Sequence, residues 1–122
     1  MKILTASHSH KPSLTEDQIR KGFVLLDITI KSGCEKGWVL APTWEMVNGI
    51  KSGNISEKDF TMLYNELLEK RWARLSDYKH DEFKAMKAIL VCYCPQGVFC
   101  HRYLAAKFLV DKYGATYFGE YR

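Results

Sequence analysis

Long apolar runs are missing from this chain, and so is any strong imbalance of charge. No stretch approaches the roughly 20 apolar residues that a bilayer-spanning helix needs, so no membrane partner is expected. The opening MKILTASHSH has one lysine and only a short apolar piece, which is not the pattern of a secretory signal. A cytoplasmic location is therefore expected, where thiols stay reduced. Internal repeats, low-complexity segments and an interdomain linker are absent too, which leaves one domain over residues 1–122. A formal charge of +4 fits an anionic small molecule or loose nucleic-acid contact and is too weak to argue for either.

What is present describes an ordinary folded domain. Apolar residues make up 47% and charged ones 26%. Three Trp, seven Tyr and six Phe suffice to anchor a core without disulfide staples. Strand composition appears at Lys2 to Ser7, at Phe23 to Ile30 and at Ala88 to Cys94. A last short strand is expected in ATYFGEY. Between them, Thr43 reads as the N-cap of a helix ending at Gly53, with Trp44, Val47 and Ile50 on one face. Ser56 starts a longer helix with Asp59 in the capping-box position. Its stripe runs Phe60, Leu63, Tyr64, Leu67, Leu68, Trp72 and Leu75. SDYKHDEFKAMK reads as polar and partly helical. A final helix runs from Phe99 or Cys100 to Tyr113, where Gly114 stops it. Strands alternating with helices predict a small α/β domain with a mainly parallel sheet flanked by helices, Rossmann-like in the loose sense.

Three of the four cysteines, Cys92, Cys94 and Cys100, crowd the stretch VCYCPQGVFCHR. Cys92 and Cys94 are two apart on a strand, so they face the same side at its carboxyl end. Ligands of open α/β sheets bind outside those ends. Cys100 and His101 open the next helix, whose free N–H groups and dipole favour anions. Gly97 permits a tight turn with close ligand approach, and Arg102 adds a planar fork suited to phosphate or carboxylate. The same residues suit other chemistries. Cys92, Cys94, Cys100 and His101 carry the donor atoms of a zinc site, with His8 and His10 as further donors across the sheet. The spacing is not a paired knuckle pattern. A helix start also lowers a thiol pKa, which makes Cys100 a nucleophile candidate, although His101 points about 100° away from it. The bland reading places Cys92 in the core and has His101 bonded to a backbone carbonyl.

The stretch VCYCPQGVFCHRYLAAKFL resembles the signature of the domain of unknown function numbered 488, a strand and short loop followed by Cys-His-Arg opening a helix. ILTASHS is similar to that family's first strand and LLDITIKSG to its second. LAPTWEMVNGIKSGNISEKDFTMLYNELL is similar to its Ala-Pro-aromatic-Glu helix and the Tyr-bearing helix after it. The likeness spans nearly the whole chain and is most specific at Leu40–Ala41–Pro42 and Cys100–His101–Arg102. It implies a small α/β fold with a pocket around Cys100, His101 and Arg102, faced by Thr5 and Ser7, with Pro42 and Trp44 as further ligand contacts. Compact members of this kind resemble phage-encoded proteins, which would place the chain in a host cytoplasm. Cys92 and Cys94 stand outside that signature.

Three functions follow as expectations. The first is binding of a nucleotide or other phosphate-bearing small molecule, including sequestration of a host signalling nucleotide if the source is viral. The second is an enzyme acting on nucleotides or glycosidic bonds, with Cys100 and His101 joined by a carboxylate, Glu45 or Asp27. The third is a metal-binding or interaction domain. No cofactor is required by the first two, and zinc is the candidate for the third. EKRWAR and KHDEFKAMK read as solvated faces, not as a phosphate-tracking stripe. Self-association is left open.

Overall fold

The computed structural model describes residues 1–7, 13–31, 36–94 and 99–120. Its element order is β1 (Lys2–Ser7), α1 (Glu16–Arg20), β2 (Phe23–Asp27), α2 (Trp44–Ser52), α3 (Glu57–Ala73), α4 (Asp77–Ala85), β3 (Lys87–Cys92), α5 (His101–Tyr113) and β4 (Thr116–Glu120). A 3-10 turn at Trp38–Leu40 precedes α2. The four strands form one sheet in the order β2-β3-β1-β4, with every pairing parallel. The expected small α/β domain with helices flanking a parallel sheet is what the chain forms. Among the described residues, no helix is long and apolar enough to cross a membrane.

Capping drew the helix boundaries. Thr43 and Ser56 accept from the amides of Met46 and Asp59, at 3.2 and 3.0 Å. Gly114 ends α5 in the left-handed conformation, φ 65°, which costs a residue without Cβ nothing. Two strand ends differ from expectation. β2 stops at Asp27, because the Asp27 carboxylate takes both the amide and the hydroxyl of Thr29 and turns the chain there. β3 runs Lys87–Cys92 and releases Cys94 from the ladder. The polar segment before β3 is a full helix, α4, held at its start by Ser76.

Strand parity divides the core. Ala88 and Leu90 of β3 join Ile3 and Leu26 under α3 and α5, whose Phe60, Tyr64, Leu68, Ala105 and Leu109 are buried there. Ile89 and Val91 turn to the other face and form a smaller cluster with Ala6. Cys92, Thr5 and Ser7 continue the first parity, so all three point to the side that α5 covers.

Candidate functional site

Parallel strands bring four carboxyl ends to one edge: Ser7, Asp27, Cys92 and Glu120. Ser7 lies in register with Cys92, and Thr5 with Glu120. α5 begins just beyond this edge. Its N-cap is Cys100, in extended conformation, and the thiol makes no capping bond of the kind Ser or Thr would make. The sulfur atoms of Cys92, Cys94 and Cys100 consequently lie within 4.8 Å of one another. All three are free thiols, two buried and Cys94 half-buried. Bonds from Cys100 and Cys92 pull the Cys94 thiol down to about 3 against the opposing effect of burial, and Arg102 and Lys51 add positive charge. Hydrogen bonds with Cys92 and Cys94, together with burial, push the Cys100 thiol far upward. The trio gathers three sulfur atoms, the donor type that soft metal ions prefer.

His101 adjoins the cluster at Cys100, from the first turn of α5. Its Nε2 sits 2.8 Å from the carbonyl of Ile28, and its Nδ1 sits 3.8 Å from the Cys100 sulfur. A carbonyl only accepts, so Nε2 carries the proton. Tyr64 meets the ring edge-on at 5.7 Å. Burial pushes the imidazole below its ordinary value and keeps it neutral. Both bland expectations describe these residues well: Cys92 is in the core, and His101 bonds a backbone carbonyl.

Arg102 has an anion, and it belongs to the chain itself. Its side chain is fully buried against Glu120, donating through Nε at 3.1 Å and through Nη2 at 2.8 Å. Nη2 also reaches the Tyr103 hydroxyl, while Nη1 donates to the Cys92 sulfur at 3.1 Å and to the Cys94 carbonyl at 2.9 Å. Tyr103 donates to the same carboxylate. Burial raises the Glu120 carboxyl, but the bonds from Arg102, Tyr103 and Thr5 outweigh it and hold the group below its ordinary value. A bulge aims that carboxylate. Ile3 pairs with Tyr117 but Thr5 with Glu120, so β4 has one extra residue between them, and Gly119 absorbs it at φ 95°. Shifting the strand by one residue turns its side chains over, which brings Glu120 to the face of Arg102.

Beside the trio opens a cavity of about 540 Å³. Pro42, Trp44, Cys92, Cys94, Cys100 and His101 line it, so the structure gathers these six expected residues from three separate parts of the chain. Phe60, Tyr93 and Phe99 add rings, and Lys31 and Lys51 add charge. Arg102, Thr5, Ser7, Asp27 and Glu45 are not part of its wall. Arg102 and Thr5 have partners of their own, Glu120 and Tyr117, and Ser7 is fully buried. Asp27 alternates with core-facing Leu26 and so turns to the opposite face, where Thr29 holds it. Among the described residues, the carboxylate that reaches the cavity is Glu57, at the first turn of α3. Gly97, His8 and His10 lie outside the described residues.

The cavity wall revises the reading of α2. Trp44, Val47 and Ile50 share a face as the periodicity predicts, but that face looks into the cavity, and the α2 residue buried in the core is Met46. Trp44 itself is 52% exposed. The segment leading to Pro42 is held by α3. Arg71 donates to the carbonyls of Trp38, Val39 and Ala41 at 3.1, 2.9 and 2.6 Å, and the Tyr64 hydroxyl takes that of Leu40 at 2.6 Å. EKRWAR is therefore more than a solvated face. Alternating donors on α3 seven residues apart, Tyr64 and Arg71, are the signal that marks it.

No family model, no curated protein and no solved structure matches this chain.

Proposed function

We propose that this chain binds a small aromatic anion of the nucleotide class in the cavity at the carboxyl edge of its sheet. One observation carries the reading: a pocket of about 540 Å³ whose wall combines Trp44, Tyr93, Phe60 and Phe99 with Lys31 and Lys51. That volume is within the usual range for small-molecule sites. The rings supply stacking surface for a base. The lysines supply the charge a phosphate requires, a role that moves to them because Arg102 is neutralised by Glu120. The carboxylates expected for turnover, Glu45 and Asp27, do not line the pocket, and Glu57 is the described carboxylate that does. The likeness to domain family 488, a phage source, a host cytoplasmic location and capture of a signalling nucleotide belong to the same proposal. So does zinc on the thiol trio, supported by three sulfur donors within 4.8 Å.

Thermal shift and calorimetry with nucleoside mono- and diphosphates, ADP-ribose compounds, free nucleosides and inorganic phosphate test this reading. At a ligand concentration one hundred times Kd, binding adds about 2.7 kcal/mol of stability. Nucleotides are expected to raise Tm and to quench Trp44, with nucleosides and phosphate each weaker. Trp44→Ala and Lys51→Ala should each weaken the effect. A flat panel, or a response that survives both substitutions together, overturns the reading.

A further inference from the structure

Resting on the reading of the thiol trio as a cofactor site, we infer that the metal is held in a closed, four-coordinate site by the sulfurs of Cys92, Cys94 and Cys100 and by Nδ1 of His101. It is a clasp joining the end of β3 to the start of α5, and the pocket's organic ligand binds beside it.

The geometry is close to what zinc needs. A tetrahedral ion about 2.3 Å from each sulfur sets the sulfurs roughly 3.8 Å apart. Here they lie within 4.8 Å before any ion draws them in. The same tetrahedron puts an imidazole nitrogen roughly 3.6 Å from a sulfur, and His101 Nδ1 stands 3.8 Å from Cys100. The tautomer is the right one. Nε2 donates to Ile28, so the lone pair sits on Nδ1, which faces the Cys100 sulfur. An imidazole ligand that donates its other N–H to a carbonyl is the usual outer-shell arrangement. Tyr64 fixes the ring from its edge. Three thiolates around a divalent ion leave one negative charge, and the hydrogen bond that Arg102 donates to the Cys92 sulfur at 3.1 Å stabilises that thiolate. Three sulfurs and a nitrogen select zinc over magnesium or calcium. With four protein ligands, no position remains for a substrate or a reactive water.

Cobalt(II) is the probe, added to metal-free protein under anaerobic conditions with all four thiols counted as reduced. One equivalent should produce the near-ultraviolet sulfur-to-cobalt charge-transfer band and the intense visible bands of a tetrahedral ion, and zinc should displace it. Cys94→Ser, the least buried of the trio, should lose one sulfur's share of the charge transfer. His101→Ala should keep the three-sulfur band, shift the visible bands, and regain the parent spectrum when imidazole is added. Its zinc affinity should fall by more than the roughly 10–100-fold that loss of an outer-shell partner costs. The wild-type cobalt protein should ignore imidazole and azide. A reduced protein that gives no charge-transfer band overturns the cofactor reading and this inference with it. A normal band with visible bands that imidazole or azide shift in the wild type overturns the closed site alone. That measurement needs no variant to fold.

Discussion

Arg71 and Arg102 both reach from a helix to hold backbone beside the cavity, and they do so with opposite electrostatics. Arg71 is half-buried on α3 and gathers three carbonyl dipoles of residues 38–41. Arg102 is wholly buried on α5 and meets a full charge, Glu120, with sulfur and carbonyl contacts added. Water can replace part of what Arg71 offers, because its bond to the Trp38 carbonyl is exposed and the other two are only part-buried. Nothing replaces Arg102, because Glu120 is 9% exposed and would be left as an uncompensated charge. The comparison separates a clamp that shapes a wall from a pair on which the local fold depends.

Arg102→Met should strike hardest. Removing one partner of a buried pair costs about 3–5 kcal/mol, read as a lowered urea midpoint. The double variant Arg102→Met with Glu120→Gln should recover part of that loss. If the double is no better than the single, Glu120 is not the partner that matters. Arg71→Met should cost less, about 1.5–3 kcal/mol for bonds to a charged donor, and should weaken ligand binding through the Pro42 wall. An Arg71 variant as damaging as Arg102→Met would erase the contrast. Acid should separate the two as well. The folded Glu120 carboxyl lies below its unfolded value, so its contribution is fully present above about pH 4.3. It is lost as pH falls through the folded value. Urea midpoints stepped downward in pH should show that limb in the wild type and in Arg71→Met, and lose it in Glu120→Gln. Tyr64→Phe should be the smallest change, about 1 kcal/mol for one buried hydroxyl bonded to Leu40. A Tyr64→Phe loss above the Arg71→Met value would mean that the 38–41 segment hangs on the hydroxyl and not on the guanidinium.

Local signals in the sequence carried much of the fold. Ser, Thr and Gly caps marked the helices because capping is decided by one residue and its nearest amides. FVLLDITI is continuous in composition up to Ile30, yet β2 stops three residues earlier at Asp27, because the Asp27 bond to Thr29 is a matter of side-chain direction. At the site, the adjacency of Cys100, His101 and Arg102 was legible, but not what each one faces. Arg102 looked like an anion receptor because a planar fork at a helix start suits one. Its partner is eighteen residues on, in another element, and is presented by a bulge at Gly119. No periodicity in β4 announces that bulge. Glu45 and Glu57 show the same limit, since one adjoins a family-like motif and the other reaches the cavity.

By itself, the sequence determined that this is one α/β domain, and that its cysteines gather where a strand ends and a helix begins. Those properties depend on composition, period and caps, each readable within a dozen residues. Tertiary structure alone decided that three sulfurs converge, that Arg102 is neutralised from within, and that lysines from two distant segments line the pocket. These are decided by strand order, register and one bulge, which sum contacts over the whole chain and leave no local mark.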